Sequence, residues 1–270
     1  MLDLFELAES NRGRWSDRWI ELLGCHHPQQ QAVLVRFAIS VENEGRIAFN
    51  LKPRTMVYFL QQGERKTIYD VAASDAASGL MTVDDVLRKK LGPWYERRID
   101  FDARFVGAKD FRYGALWMGG AGCTGYGDFC LIFATVAVAR AYVREDSLSG
   151  FFGDDGNFEL DKFRRDVAHE ENRHHLAAWK HADDVTENAR LWANRLCAAS
   201  RYIEVVLAGD TGLHGLSRVI VTRSLHDRHH DLAFQALTGR LKPEEAVQLK
   251  DVNIVRELLK KLKLTPEVSE

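Results

Sequence analysis

The sequence predicts an α+β protein built on a mixed, largely antiparallel sheet, with inserted and C-terminal helices. Three observations carry that prediction. Period-two runs lie early, at 32–41, and late, at 200–207 and 216–222. Apolar residues at helical spacing fill about 159–198 and about 225–264. No repeat, low-complexity tract or linker-like stretch divides the chain, so residues 1–270 read as one domain: strands early, helices inserted, strands again late.

In chain order, residues 14–23 suit a short helix, with Trp15, Trp19, Leu22 and Leu23 at helical spacing and Gly24 to end it. From 32 to 41, Val33, Val35, Phe37, Ile39 and Val41 repeat at period two, with Arg36 and Ser40 on the other face, which reads as a strand. Further strands are expected at 55–60 and 65–71, joined by a hairpin turn at Gln61-Gln62-Gly63-Glu64. Thr82-Val83-Asp84-Asp85 resembles a capping box opening a helix to Leu91, stopped by Gly92-Pro93. Residues 99–113 are aromatic and charged, and their pattern assigns them to no element. Gly119-Gly120-Ala121-Gly122-Cys123-Thr124-Gly125-Tyr126-Gly127 then feeds 128–133, a dense buried-strand signal, and 146–157 is a second glycine-bearing loop. Helices are expected at 159–183 and 185–198, and again at 225–237 and 243–264.

A formal net charge of −2 gives no general field to draw in nucleic acid or an anionic membrane. The cysteines, Cys25, Cys123, Cys130 and Cys197, form no Cys-x-x-Cys pair, which argues against a disulfide framework or a cysteine zinc site. No apolar run approaches the roughly 20 residues that span a bilayer, and the acidic N-terminus is unlike a secretory signal. The simplest expected address is the cytoplasm.

Several stretches could carry chemistry. Glu204 is a lone carboxylate in the apolar run Tyr202-Ile203-Glu204-Val205-Val206-Leu207; it either faces solvent or sits in a cleft against a ligand. The glycines at 119–127 precede a strand, whereas a dinucleotide fingerprint lies between a strand and a following helix, and no Gly-Lys-Ser/Thr is present. They permit close approach of backbone to a ligand or to another strand. His169, His174, His175 and His181 fall on one expected helix, where Glu170 and His174 share a face. His226 and His230, four apart, have a two-ligand metal spacing that needs a third ligand from elsewhere. Cys123 beside the glycines permits a thiol nucleophile or a buried thiol.

Three pieces together resemble the ADP-ribosyltransferase fold in a divergent, toxin-like form. They are Tyr126-Gly127-Asp128-Phe129-Cys130-Leu131-Ile132-Phe133, the run ending Asp146-Ser147-Leu148, and Tyr202 to Leu207 followed by a glycine-containing turn and Leu216-Ser217-Arg218-Val219-Ile220-Val221. No Ser-Thr-Ser, Glu-x-Glu or early His-x-Thr motif accompanies them. The resemblance implies an enzyme, a toxin or defence effector, that moves ADP-ribose from NAD to a macromolecular acceptor, protein or nucleic acid. In that family a glutamate on a late strand contacts the nicotinamide ribose, and a basic or histidine residue on an early strand holds NAD. Carried over, this makes Glu204 the catalytic residue. Arg36, Arg54 or Arg65 would hold NAD, with Arg54, at the start of the expected strand 55–60, preferred. Tyr113, Tyr126 or Tyr202 would stack on nicotinamide or adenine.

The chemistry suits those residue types. Breaking the nicotinamide–ribose bond develops positive charge on the sugar, as in glycoside hydrolysis, and a fixed carboxylate stabilises it. An arginine grips a diphosphate through paired hydrogen bonds. Two rivals stay open: a metal-dependent hydrolase on His226 and His230, and a non-catalytic protein whose histidine-bearing helices form a partner interface.

Overall fold

Capping chemistry sets the helices that lead into the sheet. The computed structural model describes residues 1–79, 81–134, 136–197, 201–209 and 211–269. It begins with α1 (Leu4–Ser10), α2 (Arg12–Gly24) and α3 (Pro28–Glu44). Asp3 caps α1 by accepting the N–H groups of Phe5 and Glu6. Strand β1 (Arg46–Leu51) follows, then α4 (Pro53–Gln62), α5 (Ile68–Ala77), α6 (Val83–Leu91) and α7 (Tyr95–Arg104). Strands β2 (Phe111–Trp117), β3 (Phe129–Phe133) and β4 (Arg140–Val143) come next. They are followed by α8 (Leu160–Asp166), β5 (Val167–His169), α9 (Arg173–His181) and α10 (Trp192–Leu196). The chain closes with β6 (Glu204–Ala208), β7 (Leu216–Val221), α11 (Arg223–Leu237), α12 (Pro243–Lys261) and β8 (Glu267–Val268).

Among the described residues the strands form one sheet in the order β5-β4-β6-β2-β1-β3-β7-β8. Neighbours are antiparallel throughout except β7 with β8, so the class is α+β with a mixed, largely antiparallel sheet. Among the described residues no helix is long and apolar enough to cross a membrane.

Three expected strands are helical. In α3 the buried set is Val33, Leu34, Phe37, Ala38 and Val41, which repeats at helical spacing; Val35 and Ile39, which completed the alternation, are 36% and 50% exposed. Pro28 starts this helix, where its missing N–H costs nothing. Residues 55–60 belong to α4, which opens on Pro53 and buries Met56, Val57, Phe59 and Leu60. Gly63, expected in a hairpin turn, ends α4 at φ 79°, a left-handed conformation suited to glycine. The stretch 65–71 instead holds Thr67, whose capping box with Asp70 opens α5. Short β-branched runs mimic alternation, and here the caps decide. The expected box at Thr82 and Asp85 does open α6.

The inserted helix of 159–183 is broken by β5. The Asn11 side chain donates to the carbonyls of Arg164 and Val167, and the Trp15 indole donates to that of Val167. Those bonds satisfy carbonyls that a continuing helix would have used, and Val167–His169 pairs with β4 instead. From 185–198 the structure retains α10; Ala198 lies outside the described residues, as does Ser200 at the head of the late run.

The two faces of the sheet differ. Ile47, Phe49, Leu131, Phe133, Val205, Leu207 and Val219 pack against α3, α4, α9 and α12. On the opposite face one row across the strands reads Val143, Glu204, Ala115, Ala48, Ile132. Two alanines beside a glutamate leave a hollow in that face, and it is there that the site forms.

Candidate functional site

Glu204 opens β6 and is 4% exposed. It lines a cavity of about 210 Å³ with Ala48, Asn50, Arg65, Arg98, Tyr113, Ala115, Cys123, Tyr126, Asp146, Ser147 and Tyr202, among others. β4 and β2 flank its strand, and β3 and β7 sit beyond β1.

The loop after β4 locks onto the glutamate. Glu204 Oε1 accepts the N–H of Ser147 at 3.1 Å. Asp146 Oδ1 accepts the N–H groups of Leu148 and Ser149 at 2.9 and 3.0 Å, a side-chain turn that holds Ser147 in place. Its Oδ2 accepts the hydroxyls of Tyr202 and Tyr126 at 2.6 and 3.0 Å, and those hydroxyls lie 2.9 Å apart. The cavity therefore holds two carboxylates, one of them clasped by two tyrosines. Lys180 donates to the carbonyl of Tyr202 at 2.7 Å and to that of Arg144, tying the approach to β6 to the end of β4.

The glycine-rich stretch delivers Tyr126. Asn50 of β1 donates to the carbonyls of Ala121 and Gly127 and accepts the N–H of Cys123 at 2.8 Å, so one side chain pins the whole loop. Gly122 stands at φ 69°, and a Cβ there would fall 2.4 Å from Asn50 Oδ1. A Cβ on Gly127 would lie 2.2 Å from the backbone carbon of Leu51. These glycines serve close backbone approach, one of the two uses the sequence allowed. Gly127→Ala is accordingly expected to cost about 2–3 kcal/mol of stability, seen as a lower urea midpoint at unchanged slope.

A second network backs the cavity. Arg98 donates from Nε to Asp102 Oδ2 at 2.8 Å, and Tyr69 donates its hydroxyl to the same oxygen. The Arg98 guanidinium covers the Tyr113 ring at 4.3 Å, while that of Arg65 lies 3.3 Å over Phe49 and donates to the Tyr113 carbonyl. Two buried hydroxyls of the cavity lining sit against its charged groups, Ser147 beside Glu204 and Tyr113 beside Arg98.

The electrostatics follow from burial. Loss of water pushes the Glu204 carboxyl up to about 8, and the Asp146 charge adds to it; Ser147 and Arg98 oppose the shift. Burial also raises the Tyr126, Tyr202 and Tyr113 hydroxyls, so all three stay protonated donors. The Cys123 thiol is drawn below its usual value by a hydrogen bond with Cys197; it lies inside the cavity and is 3% exposed.

Of the residues the sequence singled out, Glu204, Tyr126, Tyr202, Tyr113 and Arg65 meet in this cavity. Arg54, the preferred arginine, does not. It sits in the first turn of α4, 81% exposed, and is drawn to Asp251 at 3.2 Å. Arg36 lies on the exposed side of α3. Arg54 does line a neighbouring cavity of about 520 Å³ together with Arg65, Lys66, Lys90, Glu64 and Asp75. That cavity and the one around Glu204 share Arg65.

Among the described residues the histidines do not gather into one site. His169 ends β5 beside Glu9, and Glu170 pairs with Arg140, not with His174. His174 packs on His175, which stacks on Trp19. His226 and His230 face each other at 4.9 Å, yet among the described residues no three His, Cys, Asp or Glu side chains are placed to hold a metal ion. No protein-family model matches this chain, and no curated protein matches it.

Proposed function

We propose that the protein is an NAD-consuming enzyme of the ADP-ribosyltransferase type, passing ADP-ribose to a macromolecular acceptor. The observation that supports this is the junction of two unlike cavities at Arg65. One brings together Glu204, Asp146 and tyrosine rings; the other sets Arg54, Arg65, Lys66 and Lys90 against Glu64 and Asp75. A ligand with a cationic ring at one end and a diphosphate behind it matches that polarity, and NAD has both.

In this reaction the C1′–N bond of NAD breaks, its electron pair leaves with neutral nicotinamide, and positive charge develops on the ribose. The ionised Glu204 carboxylate, fixed by the Ser147 N–H and shielded from water, stabilises that charge. A nucleophilic atom of the acceptor then bonds to C1′ and gives up its proton to solvent water. Tyr126, 53% exposed, stands at the mouth, where acceptor and leaving nicotinamide pass.

The test is incubation with labelled NAD and cell extract, following nicotinamide release and label transfer for wild type, Glu204→Ala and Glu204→Gln. Undetectable release, or three proteins behaving alike, removes the proposal. Arg65→Gln is expected to raise KM for NAD about 10- to 100-fold. Arg54→Gln should raise it less, because that guanidinium is exposed and already engaged by Asp251. Because the carboxylate form is required and Glu204 keeps its proton up to about pH 8, kcat/KM should climb with pH and level off above that value.

A further inference from the structure

We propose that the cavity formed by α11, α12 and the segment after α12 binds an apolar carboxylic acid, a medium-chain fatty acid, with its chain on the apolar lining and its carboxylate at Arg256. This cavity shares no lining residue with the one around Glu204, and the proposal does not depend on the activity proposed above.

The cavity has a volume of about 450 Å³, the size of sites that hold small molecules. Phe129 of β3, Val221 of β7, Leu225 of α11, and Val252 and Leu259 of α12 line it, each at most 9% exposed. Leu264, Pro266 and Val268 complete the apolar lining from the end of the chain. That end is turned back and tied down. At the close of α12 the Leu264 N–H reaches the Leu259 carbonyl, with Lys263 left-handed at φ 58°. β8 then pairs with β7, Glu267 takes two hydrogen bonds from Arg218, and the Ser269 N–H donates to the Val221 carbonyl. The lining is thus preformed, and a hydrocarbon chain entering it leaves water without the chain having to reorder.

The polar end is a relay of three side chains. Arg256 Nη1 lies 3.0 Å from His229 Nδ1, and His229 Nε2 lies 2.9 Å from Asn253 Oδ1. A guanidinium can only donate, so Nδ1 is the accepting nitrogen and the ring proton sits on Nε2, which donates to the amide oxygen. His229, 9% exposed, is therefore a neutral strut: it fixes the guanidinium and leaves its charge in full. One N–H of five goes to the imidazole, and among the described residues Arg256 makes no ion pair. The remaining N–H groups suit the two oxygens of a carboxylate. Lys260 adds a second positive charge to the lining and Glu257 a negative one, so with the imidazoles neutral the cavity carries one net positive charge. An apolar lining alone would take any hydrocarbon. The oriented cation selects the acid.

Titration calorimetry at about pH 7.5, where the acid is ionised, with octanoate, 1-octanol and butyrate tests this. Octanoate should bind about 10- to 100-fold more tightly than octanol, the margin of a charge-assisted pair. Butyrate, with the same head on a shorter chain, should bind at least about tenfold more weakly than octanoate. Arg256→Gln, an exposed position, should bring octanoate down to the level of octanol while octanol affinity and the urea midpoint stay put. Thr265→Trp, at an exposed position of the same lining, should weaken both eight-carbon ligands. Glu204→Gln should alter neither. Equal affinity for octanoate and octanol, octanoate binding that survives Arg256→Gln unchanged or is lost in Glu204→Gln, or no octanoate binding at millimolar concentration overturns the inference.

Discussion

Glu204→Gln is expected to cut nicotinamide release from NAD by roughly 100- to 1,000-fold while leaving a better-folded protein. Both halves have one cause. The wild-type carboxyl, ordinarily near 4.5, is held at about 8 in the fold. Below pH 4.5 it is protonated whether the chain is folded or not, and no stability is lost. Between 4.5 and about 8 the unfolded chain ionises and the folded one does not, so stability drains at up to about 1.4 kcal/mol per pH unit. Above about 8 the loss is complete. Glutamine has no such drain, so the difference in unfolding free energy between variant and wild type should widen with pH across that window and then stay level. Denaturant melts at pH 5, 7 and 9 read it directly. A constant difference would mean that Glu204 is not the buried, proton-retaining carboxyl described here.

The second large effect lies behind the cavity. Arg98→Ala should destabilise the protein by about 3–5 kcal/mol, because Asp102, with a side chain only 4% exposed, would lose the cation that faces it. The paired change Arg98→Met with Asp102→Leu should cost far less, since it removes both charges and keeps the volume. Equal losses in single and double variants would show that packing against Tyr113, not charge, is what Arg98 supplies. The arginine also opposes the upward push on Glu204, so its removal should make that glutamate keep its proton to still higher pH.

Much of this was legible in the chain, unevenly. Glu204 stood out because a carboxylate in an apolar alternating run needs a reason, and the structure places it in a cavity. Tyr126 and Tyr202, chosen as aromatic neighbours of the same strands, came to the same place. Arg54 was preferred over Arg36 and Arg65 because it stood at the start of an expected strand, and that stretch is helical. Proline at the first turn of α3 and α4 was the available signal against strands there, and it was outweighed by β-branched residues at even spacing. Asp146 gave no sign of its clasp, which needs two tyrosines 20 and 56 residues distant in sequence. Arg98 and Asp102 could have been paired from their four-residue spacing once Tyr95–Arg104 was recognised as a helix.

The place of β6 in the sheet has a consequence for synthesis. It is the strand that joins β4 to β2, and it comes from the last quarter of the chain. Until residues 204–208 have left the ribosome, β2 and β4 each present a bare edge, and the nascent chain has neither its acid nor the wall that holds it. The Glu204 cavity thus cannot form in any shorter N-terminal product that ends before β6. A chain interrupted before Glu204 is left with two unpaired strand edges and is prone to associate through them.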